Sequence, residues 1–311
     1  FDLGASNGRA MLARFDGERI KLTEMHRFEN PMVEANGAHN WDIAFLLQQL
    51  KIGFSACNAE TGGRIDCFGI DTWGVDFGLL NEAGELIENP RCYRDAKDEE
   101  MRASWQIVSK AEIFARTGIA AMNFNTIYQL VRRVRAEDRA LKRAKTLLLM
   151  PDLLGYLLTG EKKSEYTNVT TTNLYNASMQ DWDFDLIERL GIPREIFTPI
   201  DRAGTLRGRL SQKIADELGV SQIPFAAVGT HDTASAVAAI PGEGSFAFCS
   251  SGTWSLFGIE TAEPLLGDSI YQANFSNEGT VQGTFRLLKN IMGLWLVQEC
   301  RRDWQKQGKF L

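Results

Sequence analysis

The stretch Phe1-Asp2-Leu3-Gly4-Ala5-Ser6-Asn7-Gly8-Arg9 opens the chain with a strand end, a turn of small residues and the start of a second strand. Glycine lets a backbone approach a ligand closely, so such a turn can hold phosphate with its N–H groups and with the side chains of Ser6 and Asn7. Asp2, at the strand end, can hold a magnesium ion through water. An ordinary glycine-rich hairpin would have the same residues, and the short motif alone does not decide between the two.

The residues that follow predict a β-meander and then a helix. Ala10 to Phe15 and Lys21 to Phe28 have strand character and are joined by the turn Asp16-Gly17. Apolar residues then recur at helical spacing from a cap at Asn40 or Asp42 to Gly62-Gly63. The chain therefore begins with sheet and amphipathic helix, as an α/β domain does.

Helical spacing dominates the middle of the chain. It runs from Lys97 to Arg143 and is found again from Leu147 to Leu158 and from Trp182 to Leu190. Within the first block, three arginines lie largely away from the apolar face, and we expect them to be solvated: Arg132, Arg133 and Arg135.

Two short apolar runs end in polar segments that suit a functional site. A buried strand is predicted from Ile65 to Thr72, and its end carries Asp71-Thr72-Trp73-Gly74-Val75-Asp76. The faces of a sugar pack against indole rings, and its hydroxyls bind carboxylates, so Asp71 and Trp73 are candidate sugar contacts. The other interpretation places Trp73 in the core.

The second run, Ile223 to Val228, leads into Gly229-Thr230-His231-Asp232-Thr233-Ala234-Ser235 and a helix from Ala234 to Ala239. Polar side chains in such a place cost free energy unless they are hydrogen-bonded or used. Asp232 is a candidate general base that would take a proton from a hydroxyl attacking phosphorus. Equally, Asp232 or Thr233 could only cap the helix, and His231 taken alone is more typical of a packed residue.

The pattern changes after residue 240, where we place a domain boundary, giving domains 1–240 and 241–311. A hairpin of Ser245 to Cys249 and Trp254 to Glu260 surrounds Ser250-Ser251-Gly252-Thr253, a hydroxyl-rich loop of the same kind as the first turn. The two loops could face each other across a cleft. Only about 70 residues follow the boundary, fewer than the roughly 100 to 150 usual for a domain.

Composition excludes several classes of protein. The chain has 311 residues, 44% of them hydrophobic, and a formal net charge of -6, which makes nucleic acid an unexpected partner. Its longest apolar runs fall well short of a membrane helix. Five scattered cysteines predict a reducing compartment, the cytosol, and three dispersed histidines argue against structural zinc, so a metal should be hard and oxygen-bound.

Taken in order, these segments resemble the FGGY carbohydrate kinases of the actin-like ATPase superfamily over essentially the whole chain. The resemblance implies an α/β, RNase H-like fold with two domains and a cleft between them. It rests on segments spread from one end to the other: 69–77, 149–152 with 158–160, 165–168 with 170–172, 231–237, 250–255 and 288–295.

The resemblance is strongest to the branch of the family that phosphorylates L-rhamnulose at its 1-hydroxyl with ATP and Mg²⁺. It implies that sugar is bound by Gly74, His231, Asp232, Thr233 and Asn290, with Asp232 as proton acceptor. It also implies a magnesium-linked carboxylate at Asp2, and nucleotide contacts from Ala5, Ser6, Asn7, Gly8, Arg9, Thr253 and Gln298.

Two departures from the family pattern bear on the prediction. Family members run well over a hundred residues beyond the equivalent of Leu311, so we expect the second domain to be incomplete here. Asn125-Thr126-Ile127-Tyr128-Gln129-Leu130 replaces a Lys-containing signature, which suits the L-rhamnulose branch and disfavours xylulose or glycerol. Two alternatives stay open: another kinase of the family, for fuculose or xylulose, and a non-catalytic actin-like fragment that binds sugar or nucleotide. The sequence makes no prediction of oligomeric state.

Overall fold

A computed structural model describes residues 1–35, 37–242, 244–252 and 254–309. The strands are β1 (Asp2–Leu3), β2 (Asn7–Phe15), β3 (Ile20–Glu29), β4 (Met32–Ala35), β5 (Ala38–Trp41), β6 (Asp71–Thr72), β7 (Phe77–Leu80), β8 (Thr146–Leu149), β9 (Ser164–Glu165), β10 (Tyr175–Asn176), β11 (Asp181–Trp182), β12 (Ile200–Asp201), β13 (Leu206–Arg209), β14 (Pro224–Ala226), β15 (Ala247–Ser251), β16 (Trp254–Thr261), β17 (Ser276–Gly279) and β18 (Phe285–Met292). The helices are α1 (Ile43–Thr61), α2 (Asp98–Ser104), α3 (Lys110–Thr117), α4 (Thr126–Arg135), α5 (Arg139–Arg143), α6 (Met150–Thr159), α7 (Tyr166–Val169), α8 (Phe184–Arg189), α9 (Gln212–Leu218), α10 (Asp232–Ala238), α11 (Asp268–Gln272) and α12 (Trp295–Lys306).

The first sheet has the order β3-β2-β1-β6, antiparallel from β3 to β1 and parallel between β1 and β6. Asp2 pairs with Asp71 across the parallel ladder. Thr72 in turn forms a parallel bridge with His231. Because these three segments run in the same direction, they end side by side, and the polar residues that follow them meet at one edge of the sheet.

The predicted meander and the first helix are confirmed. Helix α1 begins after Asp42, whose carboxylate accepts a hydrogen bond from Phe45 N at 3.0 Å. It ends at Gly62, which adopts the left-handed conformation with φ 61° that glycine reaches without strain. Its buried face, which includes Leu46, Leu50 and Phe54, packs on β2 and β3.

Other predicted elements were wrong in extent. The Lys97 to Arg143 block is four helices, α2 to α5, and Leu147 lies in strand β8, which pairs with β7 before α6 begins. A run of buried leucines satisfies a strand or a helix equally well, so periodicity could not separate the two. The predicted strand Ile65 to Thr72 is reduced to β6 and an isolated bridge at Phe68.

The prediction of a solvated arginine face was wrong for Arg133. Its side chain is only 4% exposed, and its Nη1 donates to Glu88 at 2.7 Å and to Asp138 at 3.3 Å. The neighbouring Arg135 is 46% exposed, as expected. Spacing along one helix cannot show that the loops carrying Glu88 and Asp138 cover part of its polar face.

The second sheet has the order β15-β16-β18-β17, and the predicted hairpin is its first pair of strands. It is attached to the rest of the chain through β17. Asn277 N donates to Gly118 O at 2.9 Å, and Gly279 N donates to Thr170 Oγ1 at 2.8 Å. Strand β17 is therefore placed against the segment around α7.

Two features of the structure bear on where in the cell the protein is found: its helices and its cysteines. Within the ranges that the structure covers, no helix is long and apolar enough to cross a bilayer. All five cysteines are free thiols, with Cys57 and Cys92 buried. The cytosolic location expected from cysteine usage stays a prediction.

The two arginines of α4 give a matched test of the packing. We expect Arg133→Met to lower the free energy of unfolding by about 2 kcal/mol, because it removes charge-assisted hydrogen bonds to Glu88 and Asp138. Arg135→Met should change it by less than about 0.5 kcal/mol, since Arg135 is exposed. Urea unfolding followed by circular dichroism measures both, and equal effects of the two substitutions would contradict this account.

Candidate active site

A cleft of about 540 Å³ lies at the edge where β1, β6 and the segment before α10 end. Its walls come from both sheets. One wall carries the loop after β1 and the start of α10, and the other carries Ser250, Trp254 and Asn290. The two hydroxyl-containing loops that the sequence singled out thus line the same cavity.

The loop after β1 is held in a fixed shape by Asn30. Gly4 O accepts from the Asn30 amide at 3.0 Å, and Ser6 O accepts from Asn30 N at 3.0 Å. Because peptide units are planar and trans, the Ala5 N–H points away from Asn30. Four of the predicted loop residues line the cleft, namely Ala5, Ser6, Asn7 and Arg9.

Gly8 does not line the cleft, and its importance is steric. A Cβ atom there would lie 2.3 Å from the ring of Phe28, closer than any real contact. The glycine lets β2 pass directly over Phe28 on β3, with which it pairs in register. Gly8 therefore allows β2, which follows the loop, to lie close to β3.

Asp2 lies at the entrance to the loop and is held by Arg9. The Arg9 guanidinium donates to Asp2 Oδ2 from Nε at 2.8 Å and from Nη2 at 2.6 Å, and the carboxylate is 34% exposed to the cleft. Asp71 and Asp232 line the same space. Among the described residues no cluster of three or more potential ligands is arranged around one metal position. This donor set suits a Mg²⁺ ion that keeps its waters and arrives on phosphate, because one or two carboxylates are enough to hold such an ion.

Asp232 is the first residue of α10, and its side chain is 39% exposed to the cleft. Its Oδ1 accepts from Thr233 N at 2.6 Å and from Thr233 Oγ1 at 3.2 Å. Burial of the carboxylate raises the pKa of Asp232 to about 6, although the Thr233 hydrogen bonds act in the opposite direction. The N-cap position belongs to His231, so Asp232 is not the N-cap residue of this helix.

His231 is buried beside Asp232 and meets two charged residues of the second sheet. Arg286 Nη2 lies 3.1 Å from His231 Nδ1, and Glu278 Oε2 lies 3.4 Å from the same nitrogen. Burial, with the Arg286 charge, holds the pKa of His231 well below its usual value, so the imidazole is neutral.

The segment before Asp232 is fixed by Glu165, which is fully buried at the end of β9. Glu165 Oε2 accepts from Thr230 N at 3.0 Å and Thr230 Oγ1 at 2.8 Å, and from Thr167 N at 3.0 Å and Thr167 Oγ1 at 2.5 Å. The Thr167 hydroxyl oxygen accepts in turn from His231 N at 3.1 Å. Glu165 and Thr167 therefore set the position from which α10 begins.

The predicted indole plate lies mostly inside the core. Trp73 borders the cleft but is only 5% exposed, with its ring centroid 4.3 Å from that of Trp41. Both indole N–H groups donate to Asp76 Oδ2, at 2.6 Å from Trp41 and 3.0 Å from Trp73. Burial raises the pKa of Asp76 to about 6 despite these hydrogen bonds. Little of the Trp73 ring is left to pack against a sugar.

Two smaller residues of this segment remain in the cleft. Asp71 lines it, and burial together with the nearby Asp2 charge raises the pKa of Asp71 well above its usual value. Gly74 passes close to two side chains: a Cβ atom at this position would lie 3.0 Å from Thr171 Oγ1 and 3.4 Å from His231 Cδ2. Glycine here keeps space open beside the imidazole.

An aromatic row that sequence reasoning missed crosses the cleft. Tyr93 and Phe124 have ring centroids 5.8 Å apart, and those of Phe124 and Trp254 are 5.9 Å apart. All three rings are partly exposed and line the cavity. They come from three distant parts of the chain, so no local spacing connects them.

The remaining predicted residues fall in different places. Thr233 and Asn290 line the cleft, on α10 and β18. Gln298 is exposed on α12 and does not line it. Thr253 lies outside the described residues. Sequence reasoning assigned no role to Glu165, Glu278 or Arg286. The signal that could have found one of them is a charged residue between apolar neighbours, as Arg286 stands between Phe285 and Leu287.

Comparison with protein families gives two matches that together span most of the chain. The N-terminal domain of the FGGY family of carbohydrate kinases matches residues 1–239. The C-terminal domain of the same family matches residues 247–310. The resemblance inferred from the sequence motifs is confirmed by these matches.

Two curated relatives are similar along nearly the whole chain. A rhamnulokinase of Bacteroides thetaiotaomicron is 42% identical over 305 residues, which are 97% of this chain and 63% of the relative. A rhamnulokinase of Halalkalibacterium halodurans is 41% identical over 310 residues, which are 99% of this chain and 66% of the relative. The chain thus spans slightly less than two thirds of the length of the relatives it matches.

Among solved structures, a ligand-bound xylulose kinase of Lactobacillus acidophilus is similar with a TM-score of 0.83. It shares 16% sequence identity, and the match covers 96% of this chain and 61% of that structure. At such an identity the likeness concerns the fold alone. It confirms the predicted α/β, actin-like architecture.

The hydrogen bonds at Glu165 give a test of how the site is positioned. We expect Glu165→Leu to lower the free energy of unfolding by about 3 kcal/mol, because the Thr230 and Thr167 donors lose their buried acceptor. Glu165→Gln keeps an acceptor oxygen and should cost only about 1 kcal/mol. Urea unfolding of the two variants measures the difference, and a Leu variant as stable as the Gln variant would show that these contacts do not position the segment.

Proposed function

Because the chain belongs to the FGGY family of carbohydrate kinases, we propose that it is the sugar-binding and catalytic part of an ATP-dependent kinase for L-rhamnulose. The product is L-rhamnulose 1-phosphate, which places the enzyme in rhamnose breakdown. The choice of sugar is supported by the identities of 42% and 41% to two rhamnulokinases.

The observation that carries the proposal is the position of Asp232 in the wall of the cleft, 39% exposed and with a pKa of about 6. Such a carboxylate is largely ionised at neutral pH and is still basic enough to receive a proton. In the proposed reaction Asp232 accepts the proton of the sugar 1-hydroxyl while the hydroxyl oxygen attacks the γ-phosphorus of ATP. The bond between that phosphorus and the β,γ-bridging oxygen breaks, and ADP leaves.

The phosphate end of ATP is assigned to the loop after β1. The Ser6 and Asn7 side chains are exposed in the cleft, and the Ala5 N–H points away from the Asn30 contacts, so the loop offers donors to phosphate oxygens. Asp2 would hold a Mg²⁺ ion that neutralises phosphate charge. Arg9, bound to Asp2, would limit the repulsion between the carboxylate and the triphosphate.

The sugar is assigned to the space between His231 and the aromatic row. His231, Thr233 and Asn290 offer polar contacts, and Phe124 and Trp254 offer partly exposed ring faces. A 6-deoxyketose has several hydroxyls and one methyl group, so it needs polar and apolar contacts together. We assign to Phe124 and Trp254 the stacking that the sequence suggested for Trp73.

Two alternatives differ in what they predict for this chain. A kinase for fuculose or xylulose would have the same base and phosphate loop, since sugar preference depends on the walls of the cleft. A chain that binds sugar without transferring phosphate would bind the sugar in the cleft and release no ADP.

A panel of sugars separates these possibilities. We expect ADP release, measured with a coupled assay, to be at least about tenfold greater in kcat/KM for L-rhamnulose than for L-fuculose or D-xylulose, a difference of about 1.4 kcal/mol in transition-state binding. Preference for another ketose would overturn the assignment of the sugar. Binding of L-rhamnulose in calorimetry with no ADP release would support the non-catalytic alternative.

Removing the proposed base should abolish most of the turnover. We expect Asp232→Asn to reduce kcat by about 10² to 10⁴ while sugar binding and the unfolding transition are retained, because the amide cannot accept the proton. Asp268→Asn is the matched control, since Asp268 is also the first residue of a short helix and is exposed away from the cleft. A turnover near that of the wild type in Asp232→Asn would refute the base assignment.

A further inference from the structure

We propose that Arg286, which does not touch the cleft, is a positioning residue that fixes the tautomer of His231 and so makes the imidazole a hydrogen-bond donor beside Asp232. The inference rests on the proposed function only for its kinetic consequence. The tautomer itself follows from contacts among four side chains: Arg286, Glu278, His231 and Asp232.

Arg286 Nη2 lies 3.1 Å from His231 Nδ1. A guanidinium has only donors and stays protonated in proteins. Nδ1 must therefore be the acceptor, and a hydrogen on it would point at the hydrogens of Arg286. The proton of the neutral ring is left on Nε2.

Arg286 is held in place by residues of the second sheet. Its side chain is fully buried, its Nε donates to Gly279 O at 3.1 Å, and its Nη2 donates to Glu278 Oε2 at 3.2 Å. Glu278 is also buried and compensates the charge of Arg286. Both residues lie on β17 and β18, which are paired in register, Glu278 opposite Arg286. The guanidinium is thus held from the second sheet and cannot turn away from the imidazole without losing these partners.

Asp232 and Gly74 lie near the other atoms of the imidazole ring. His231 Nε2 lies 3.5 Å from Asp232 Oδ1, and the ring passes next to Gly74, where a Cβ atom would lie 3.4 Å from Cδ2. The Nε2–H therefore lies near the carboxylate, on the other side of the ring from Arg286. There it can donate to a sugar oxygen or to Asp232, and it cannot compete with Asp232 as the proton acceptor.

In this arrangement, the proton acceptor and the hydrogen-bond donor are two different, neighbouring residues. Asp232 keeps the role of base, and His231 keeps the role of donor, because Arg286 occupies the only lone pair of the imidazole. Without Arg286, Nδ1 could carry the proton and donate to Glu278 Oε2, which lies 3.4 Å away. Nε2 would then become an acceptor in front of Asp232, and the two groups would repel each other.

The tautomer can be measured directly, without any kinase assay. The chain has three histidines, His26, His39 and His231, and the signals of His231 are assigned by their loss in His231→Gln. Long-range proton–nitrogen correlation spectra of the ¹⁵N-histidine-labelled 311-residue chain at neutral pH should show His231 with a protonated Nε2 and an unprotonated Nδ1. A protonated Nδ1, or an imidazolium, would overturn the proposal.

Two variants test the cause. Arg286→Met combined with Glu278→Gln removes both buried charges together, and we expect it to lose the exclusive Nε2–H tautomer. Glu278→Gln alone keeps the guanidinium and should retain it. If the double variant keeps the wild-type tautomer, Arg286 does not set it; if the double variant fails to fold, the wild-type spectrum and that of Glu278→Gln still decide.

The kinetic consequence separates positioning from general support of the fold. In a folded double variant we expect kcat for L-rhamnulose to fall at least about tenfold with the KM for ATP unchanged, because the donor next to the base is lost. A changed tautomer with unchanged kcat would overturn the catalytic part of the proposal. Absence of kinase activity in the wild-type chain would count against the proposed function only, since the spectra are independent of turnover.

Discussion

One buried oxygen, Glu165 Oε2, fixes the segment on which the site depends. It accepts hydrogen bonds from the backbone and hydroxyl of both Thr167 and Thr230, at 2.5 to 3.0 Å. Thr72 N then pairs with Thr230 O at 2.9 Å, which joins this segment to β6 and, through it, to β1. The loop after β1, Gly74 and Asp232 owe their common location to this chain of contacts. Burial raises the pKa of Glu165, while the hydrogen bonds from Thr167 and Thr230 act in the opposite direction.

Several titratable groups lie in or near the cleft, where burial removes them from water and disfavours their charged forms. Burial raises the pKa of Asp71, Asp76 and Asp232 and lowers that of His231 and Arg286. Such shifts in a cleft are typical of functional sites, where the protonation state of a group matters more than its contribution to stability. Asp76 shows the compensation: two indole N–H groups, the Gln129 amide and the Tyr93 N–H all donate to it. The second sheet contributes Glu278 and Arg286, so the environment of His231 is complete only when both sheets are present.

The local elements that the sequence predicted well are those whose signals lie within a few residues. The hairpin around Asp16-Gly17 and helix α1, with its Asp42 cap and Gly62 end, are examples. Errors arose where distant segments decide the outcome. Arg133 is on the polar face of its helix by periodicity, yet Glu88 and Asp138 bury it. Trp73 suggested a sugar plate, but Trp41 covers its ring, and the exposed aromatic surface comes from Tyr93, Phe124 and Trp254 instead.

By itself, the sequence determined the family and the class of fold, and it predicted which short segments are candidates for chemistry, because glycines, caps and carboxylates at strand ends are local features of the order of residues. Only the tertiary structure decided which of those residues share a cavity and in what protonation state. Asp2 and Asp71 are neighbours because β1 and β6 pair in parallel, Asp232 follows the bridge between His231 and Thr72, and Arg286 reaches His231 from the second sheet. The burial of a residue and its electrostatic neighbours depend on which atoms are close in space. The spacing of residues within one segment does not show which atoms those are.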